Sequence, residues 1–249
     1  MLNQRSFFMK NYCIILLLAT ILNLHTTAAE TAGRLWLWDF ENIQSNSIPP
    51  ATGQARGKLF AAPQELCRIS AGVSGQGLEI SGAQKSDKQV GGLHISRMTV
   101  DWCKGFTMLI WVKFSPLLSG KELFKTNKII IGNCGVRGPG WLFYLTWGEL
   151  YLRSGDGKKS THIATAFDGF DRWRQLGVVY DGTKAVIYVD GAAVLSENFK
   201  ITPAARKDLF VGSASGSNSQ LYGTLDNLLL ADRPFSAAEV AANYLKYKP

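Results

Sequence analysis

Histidine and cysteine are scarce in this 249-residue sequence, with three and four copies respectively. That scarcity excludes several kinds of chemistry. Past the first 30 residues only His94 and His162 remain, far apart and outside any H-E-x-x-H string that would seat a catalytic zinc. Each reads as a polar surface or strand-end residue. No cysteines stand at C-x-x-C spacing, so a structural zinc site lacks its ligands. No G-x-S-x-G elbow occurs; "GSASG" has Ala214 at its centre and reads as a flexible turn. Two carboxylates on one strand, as in the E-x-D-x-x-E string of β-glucanases, are missing too, and glycoside hydrolysis depends on such a pair. Asp156, Asp168, Asp181 and Asp190 instead sit at turns or beside glycine, where they shape loops. Catalysis is therefore not expected.

Long apolar runs are absent after the N-terminus. Arg5 and Lys10 precede "CIILLLATILNL", and "HTTAAE" follows with small residues before Glu30. A basic start, an apolar stretch of about 12 residues and a small-residue cleavage site make a secretory signal peptide. The stretch is too short for a membrane span, which takes roughly 20 apolar residues. Residues 1–29 are read as the signal peptide and 30–249 as the folded domain, secreted to an extracellular or periplasmic space, with no membrane span after processing.

Charge is the next bound. The formal net charge is +8, and without Arg5 and Lys10 there are 25 basic against 19 acidic residues. A basic exported protein suits an acidic polysaccharide or an anionic surface. The basic residues are nevertheless scattered over turns such as "DGKK", "DRWR" and "AARK". No nucleic-acid motif is present, and nucleic acid is not an expected partner. Cys67, Cys103 and Cys134 survive processing; export permits a disulfide, and the sequence leaves all three pairings open.

Helix signals are almost absent until the end, whereas short β-branched and aromatic segments recur between Gly, Asp, Asn and Pro turns. "FTMLIWVKF", "KIIIG", "WLFYLTW", "ELYLRSG", "WRQLGVVYDG", "KAVIYVDG" and "QLYGTLDNLLLA" are the clearest. Regular short strands predict an all-β sandwich. Alternation sets Phe106, Met108, Ile110, Val112 and Phe114 on one core face, and Trp141, Phe143 and Leu145 on another. Alternation also puts Asp226 beside Leu228 and Leu230, an awkward place for a carboxylate. At the end, Ser236 with Glu239 three residues on forms a capping box for one short helix.

Taken in order, these segments resemble the laminin-G-like, concanavalin A-like lectin/glucanase family. "LWLWDFEN" is similar to its opening strand, "GVSGQGLEISG" to its G-x-x-G-x-a-L-x-f-x-G stretch, and "WRQLGVVYDGTKAVIYVDGA" to its W…Y-v-D-G stretch. "LYGTLDNLLLADRPFSAAEV" is similar to its closing G-x-i-D-e-v…E-i stretch, with Asn227 where that pattern carries an acid. The series covers about Leu35 to Leu245. The resemblance implies a two-sheet antiparallel jelly-roll β-sandwich with a short C-terminal helix and with its terminal strands adjacent. It leaves function to particular residues, because the fold hosts lectins, adhesion modules and enzymes.

Two sites follow from this reading. On the outward face of "WLFYLTWGELYLR", Tyr144, Tyr151 and Arg153, with Trp147 at the turn, form a candidate ligand-binding surface, since sugars need flat rings beside polar groups. Lectin-like sandwiches use calcium, and the resemblance would bring Asp226 to Asp39 or Glu41 on the first strand as a structural calcium site; no cofactor is otherwise required. The favoured alternative for Asp226 is a structural carboxylate where the closing strand meets the helix. The expected activity is non-catalytic recognition of a glycan or polysaccharide, acidic in one version. The alternatives are adhesion to an extracellular protein and, more remotely, a divergent glycoside hydrolase or polysaccharide lyase.

Overall fold

The computed structural model describes residues 33–43, 47–60, 66–81, 91–96, 98–115, 126–135, 137–204, 207–214 and 219–249. The signal segment and the boundary at residue 30 lie outside them. Strands are numbered in chain order. One antiparallel sheet of eight strands runs β14 (Ala192–Asn198), β13 (Lys184–Val189), β12 (Trp173–Tyr180), β7 (Phe106–Phe114), β16 (Tyr222–Ala231), β5 (Gln76–Ser81) and β4 (Cys67–Ala71), with β1 (Leu35–Trp38) also paired to β16. The other eight-stranded sheet runs β11 (Ser160–Ala166), β10 (Glu149–Asp156), β9 (Pro139–Thr146), β8 (Lys128–Gly132), β15 (Leu209–Val211), β6 (Gly92–Ser96), β3 (Arg56–Phe60) and β2 (Ser47–Ile48). The first and last strands do lie together, with Trp36 opposite Leu230.

The expected inward faces form the core. Phe106, Met108, Ile110, Val112 and Phe114 of β7 meet Trp141, Phe143 and Leu145 of β9 in one buried cluster between the sheets. Within it the ring of Phe106 stacks on Trp141 at 4.9 Å, and Trp102 packs on both. On the opposite side of β7, Leu109 joins Val179, Tyr188, Leu229 and Val240 in a smaller cluster. Val240 belongs to helix α1 (Ala237–Tyr247), which covers that side. Trp111 there stacks on Tyr244, so it is a packing residue.

The helix starts as its sequence dictates. Ser236 accepts from the Glu239 amide, and the Glu239 carboxylate accepts from the Ser236 amide at 2.8 Å. Glu239 also pairs with Arg233 at 2.5 Å, while Thr107 of β7 donates to Arg233 O and accepts from Phe235 N. The Arg233 bond, with the Ser236 donors, holds the Glu239 carboxyl down at about 2 despite some burial. A depressed acid stabilises the fold above its unfolded value and loses that contribution as pH falls through its folded value. Ser236→Ala should therefore cost about 1 kcal/mol at neutral pH. The deficit should shrink in melts taken between pH 4.5 and pH 2, as Glu239 is protonated in both proteins.

Two readings need correction. Cys67, Cys103 and Cys134 all carry free thiols, so none of the disulfides that export would permit is formed among them. Burial pushes the Cys67 thiol up to about 12 and Cys134 to about 11, which makes both poor nucleophiles. Asp226 does not share the core with Leu228. A bulge between Asp226 and Leu229, with Asn227 at φ 45°, shifts the register. Leu225, Leu228 and Leu230 face the core, and Asp226 pairs across to Trp111 on the opposite side of the sheet.

Candidate functional site

The β9–β10 hairpin reverses at Trp147 and Gly148, both at positive φ (53° and 76°), in the mirror-image turn that matches strand twist. A tryptophan is costly there, because its Cβ crowds the backbone at positive φ. It is also 58 % exposed, so no packing explains it. The tight turn fixes the register behind it, with Tyr151 opposite Tyr144 and Arg153 opposite Leu142. All four face away from the core, which takes Trp141, Phe143, Leu150 and Leu152.

The tyrosines form the centre of the surface. Their rings stack at 5.3 Å, 13° from parallel, and His162 of β11 approaches Tyr151 at 5.3 Å. The Tyr151 hydroxyl donates to Glu149 at 2.7 Å, which raises its pKa. Burial raises that of Tyr144, opposed by the Arg153 charge. The middle of the sheet is covered: Cys134 and Ala214, from the loops after β8 and β15, pack on Ile129, Leu142 and the edge of Tyr144. The ring row therefore lies between a loop plug and the edge strand β11.

Arg153 is where alternation put it but is far from exposed, at 9 %. Its Nη1 donates to Gly138 O at 3.4 Å and lies 4.0 Å from Cys134 Sγ. The structure thus places Tyr144, Tyr151 and Arg153 on one face, as alternation predicts, with Trp147 at the tip. The sequence reading missed His162 and Glu149. The signal for His162 was present in "SGDGKKSTHI". A turn over Asp156–Lys159, where Asp156 Oδ1 accepts the Lys158 and Lys159 amides at 2.7 Å, sets His162 opposite Arg153.

On the far side of the plug, His94 stacks on Phe210 at 4.9 Å and bonds Asp208 at 3.0 Å. It is a hydrogen-bonded strand residue, half-buried.

The acidic site has a different geometry. Asp226 is fully buried, and Oδ2 accepts from Val73 N at 2.9 Å and Ser74 N at 3.1 Å, while Oδ1 accepts from Asn227 N at 2.6 Å. Glu41 Oε1 accepts from Gln76 N at 2.9 Å, and Asp39 Oδ1 from Glu41 N at 3.3 Å. Asp226 and Glu41 thus clasp the Gly72–Gly75 turn from two sides. A Cβ on Gly72 would stand 2.4 Å from Asp226 Oδ2, and one on Gly75 would stand 2.0 Å from Glu41 Oε1, which is why this turn reads G-V-S-G. Burial pushes the Asp226 carboxyl up to about 7, with Glu41 adding to the rise and the three amides opposing it.

A calcium site through Asp226, Asp39 and Glu41 does not fit this arrangement. Calcium wants six to eight oxygens, and Asp226 is met by N–H groups instead. Among the described residues, no three His, Cys, Asp or Glu side chains gather to hold a metal. The junction role also moves: Asp226 anchors the β4–β5 turn, and Thr107 ties the strand to the helix.

Two eight-stranded antiparallel sheets with a helix over one outer face and a row of aromatic rings on the other define a jelly-roll β-sandwich. The chain belongs to the concanavalin A-like lectin/glucanases superfamily, whose profile matches residues 88–241. Its fold is similar to the binding domain of botulinum neurotoxin DC in complex with rat synaptotagmin II (TM-score 0.67, 11 % identity, 86 % of this chain and 52 % of that one). The same domain in complex with SialylT matches with a TM-score of 0.66 and 10 % identity, over 87 % of this chain and 51 % of that one. The binding domain of Paraclostridial Mosquitocidal Protein 1 matches with a TM-score of 0.65 and 15 % identity, over 86 % and 52 %. The chain thus spans about half the length of these structures. No curated protein sequence matches it. No helix among the described residues is long and apolar enough to cross a membrane.

Proposed function

We propose that this chain is an exported, non-catalytic carbohydrate-binding module, and that the ligand lies over β9, β10 and β11. The observation that carries this reading is the stacked Tyr144–Tyr151 pair extended by His162, with Glu149 and Arg153 at either end. Sugars offer apolar C–H faces and hydroxyl edges, and a ring row flanked by hydrogen-bonding groups matches both. Glu149 is spent on the Tyr151 hydroxyl and faces an arginine along the strand rather than a second carboxylate. That argues against a glycosidase, which places two carboxylates about the bond. Similar folds occur in complex with a glycan and with a protein, which accords with a binding role.

A protein partner is the second reading. The strained, exposed Trp147 favours it, since a tip tryptophan is a common energetic anchor of protein interfaces. A glycan array with the purified protein separates the two. Tyr151→Ala should weaken binding to the best glycan about tenfold, roughly 1.4 kcal/mol, with an unchanged melting temperature. Unaltered affinity would move the site elsewhere. Trp147→Ala abolishing retention of a protein while no glycan binds would favour the second reading.

A further inference from the structure

Among the described residues Arg153 is a buried cation without a counter-ion. At 9 % exposure its guanidinium pairs with none of their carboxylates, and its bonds to them are a long one to Gly138 O and a weak approach to Cys134 Sγ. Guanidinium carries five N–H donors, and a desolvated one is ordinarily matched by an acid. Here the surroundings carry the wrong sign. The β10–β11 turn adds Lys158 and Lys159, both exposed, and Gly157 of that turn lies against Pro139 and the carbonyl of exposed Arg137. Asp156 is the acid of the turn, and its carboxylate is occupied by the Lys158 and Lys159 amides.

The position of the guanidinium is also fixed. Nη2 lies where a Cβ on residue 155 would approach within 2.8 Å, so the side chain lies along bare Gly155 backbone beside Ser160. Along β10 it stands two residues from Tyr151 on the same face, next to the Tyr144–Tyr151 pair in register. Glu149 lies at the opposite end of the row, four residues back on the same face, about 13 Å away at strand rise. The surface therefore has a direction: a negative, hydroxyl-accepting end at Glu149, apolar rings in the middle and an unneutralised positive end at Arg153.

We propose that the glycan bound here is anionic, and that Arg153 receives an oxyanion substituent, carboxylate or sulfate, of a sugar seated on Tyr144 and Tyr151. This rests on the carbohydrate reading above. A planar guanidinium can hold either oxyanion through paired N–H bonds, and low exposure strengthens that contact over one made by a surface lysine.

Two matched pairs of polymers test it by titration calorimetry with the full chain: polygalacturonate against its methyl ester, and dextran sulfate against dextran. We expect at least a tenfold preference for the charged member of one pair, and which pair responds tells carboxylate from sulfate. Arg153→Gln should remove the preference while its melting curve stays cooperative. On the unaltered protein, the charged polymer should slow phenylglyoxal modification of Arg153, read by peptide mass spectrometry, which keeps the test valid if the variant does not fold. Equal binding of both members overturns the inference; if Tyr151→Ala abolishes that binding, the ring site itself stands. A preference that survives Arg153→Gln but disappears in Lys158→Gln/Lys159→Gln is diffuse surface charge and also overturns it. No binding of any polymer, with Arg153 equally reactive throughout, overturns both this inference and the carbohydrate reading.

Discussion

Asp226→Ala should lower stability by about 2–4 kcal/mol at neutral pH, because three amide donors lose their acceptor at a buried site. For a domain of this size that is a fall of roughly 10 °C in melting temperature. Glycan affinity should be unchanged, since the ring row lies on the other sheet. Gly72→Ala should act in the same direction from the other side, its new Cβ meeting both Asp226 Oδ2 and Gln76 O. An unchanged melting temperature for Asp226→Ala, or lost binding without lost stability, would overturn this assignment.

The same carboxylate has a pH signature. Burial raises it to about 7 in the folded state, above its ordinary value of 3.8. Between those values the folded protein holds a proton that the unfolded chain has released. Stability is then highest below pH 4 and declines as pH rises towards 7, with no further change from this group beyond. Asp226→Asn cannot titrate, so its melting temperature should lack that decline. Comparing the two proteins from pH 4 to 8 isolates the contribution from every other group.

Trp141→Ala should have a still larger effect, about 3–5 kcal/mol. The side chain is fully buried, stacked on Phe106 and tilted on Trp102, where strands of both sheets meet. Its indole N–H has no partner among the described residues. The loss is thus one of ring volume and contact, and Trp141→Phe should retain most of the stability. If the phenylalanine variant were as unstable as the alanine variant, a missed hydrogen bond would be the better explanation. Chemical denaturation followed by near-ultraviolet circular dichroism would separate these outcomes.

Apolar periodicity carries most of the strand assignment. Strands β7, β9, β10, β12, β13 and β16 were legible because they are buried on at least one face, and burial selects alternating large side chains. The helix start was legible because capping is local, with Ser236 and Glu239 three residues apart. The tyrosine pair was legible through one short turn, which fixes the register by itself.

Long-range packing sets the rest. Strands β2, β4, β11 and β14 form the sheet edges and lacked a sequence signal. Edge strands are held by backbone pairing on one side and wetted on the other, so their side chains need no apolar period. His162 joined the site only through such an edge. Asp226 was assigned to the core face because alternation holds only while register is unbroken; one bulge at Asp226–Asn227 reversed it and turned a misplaced acid into the anchor of a distant turn. Arg153 was legible as a face but not as a buried charge with no acid beside it among the described residues, because its burial and its partners depend on segments other than its own strand. Periodicity tells which way a side chain points, whereas what it meets there depends on segments far away in the chain.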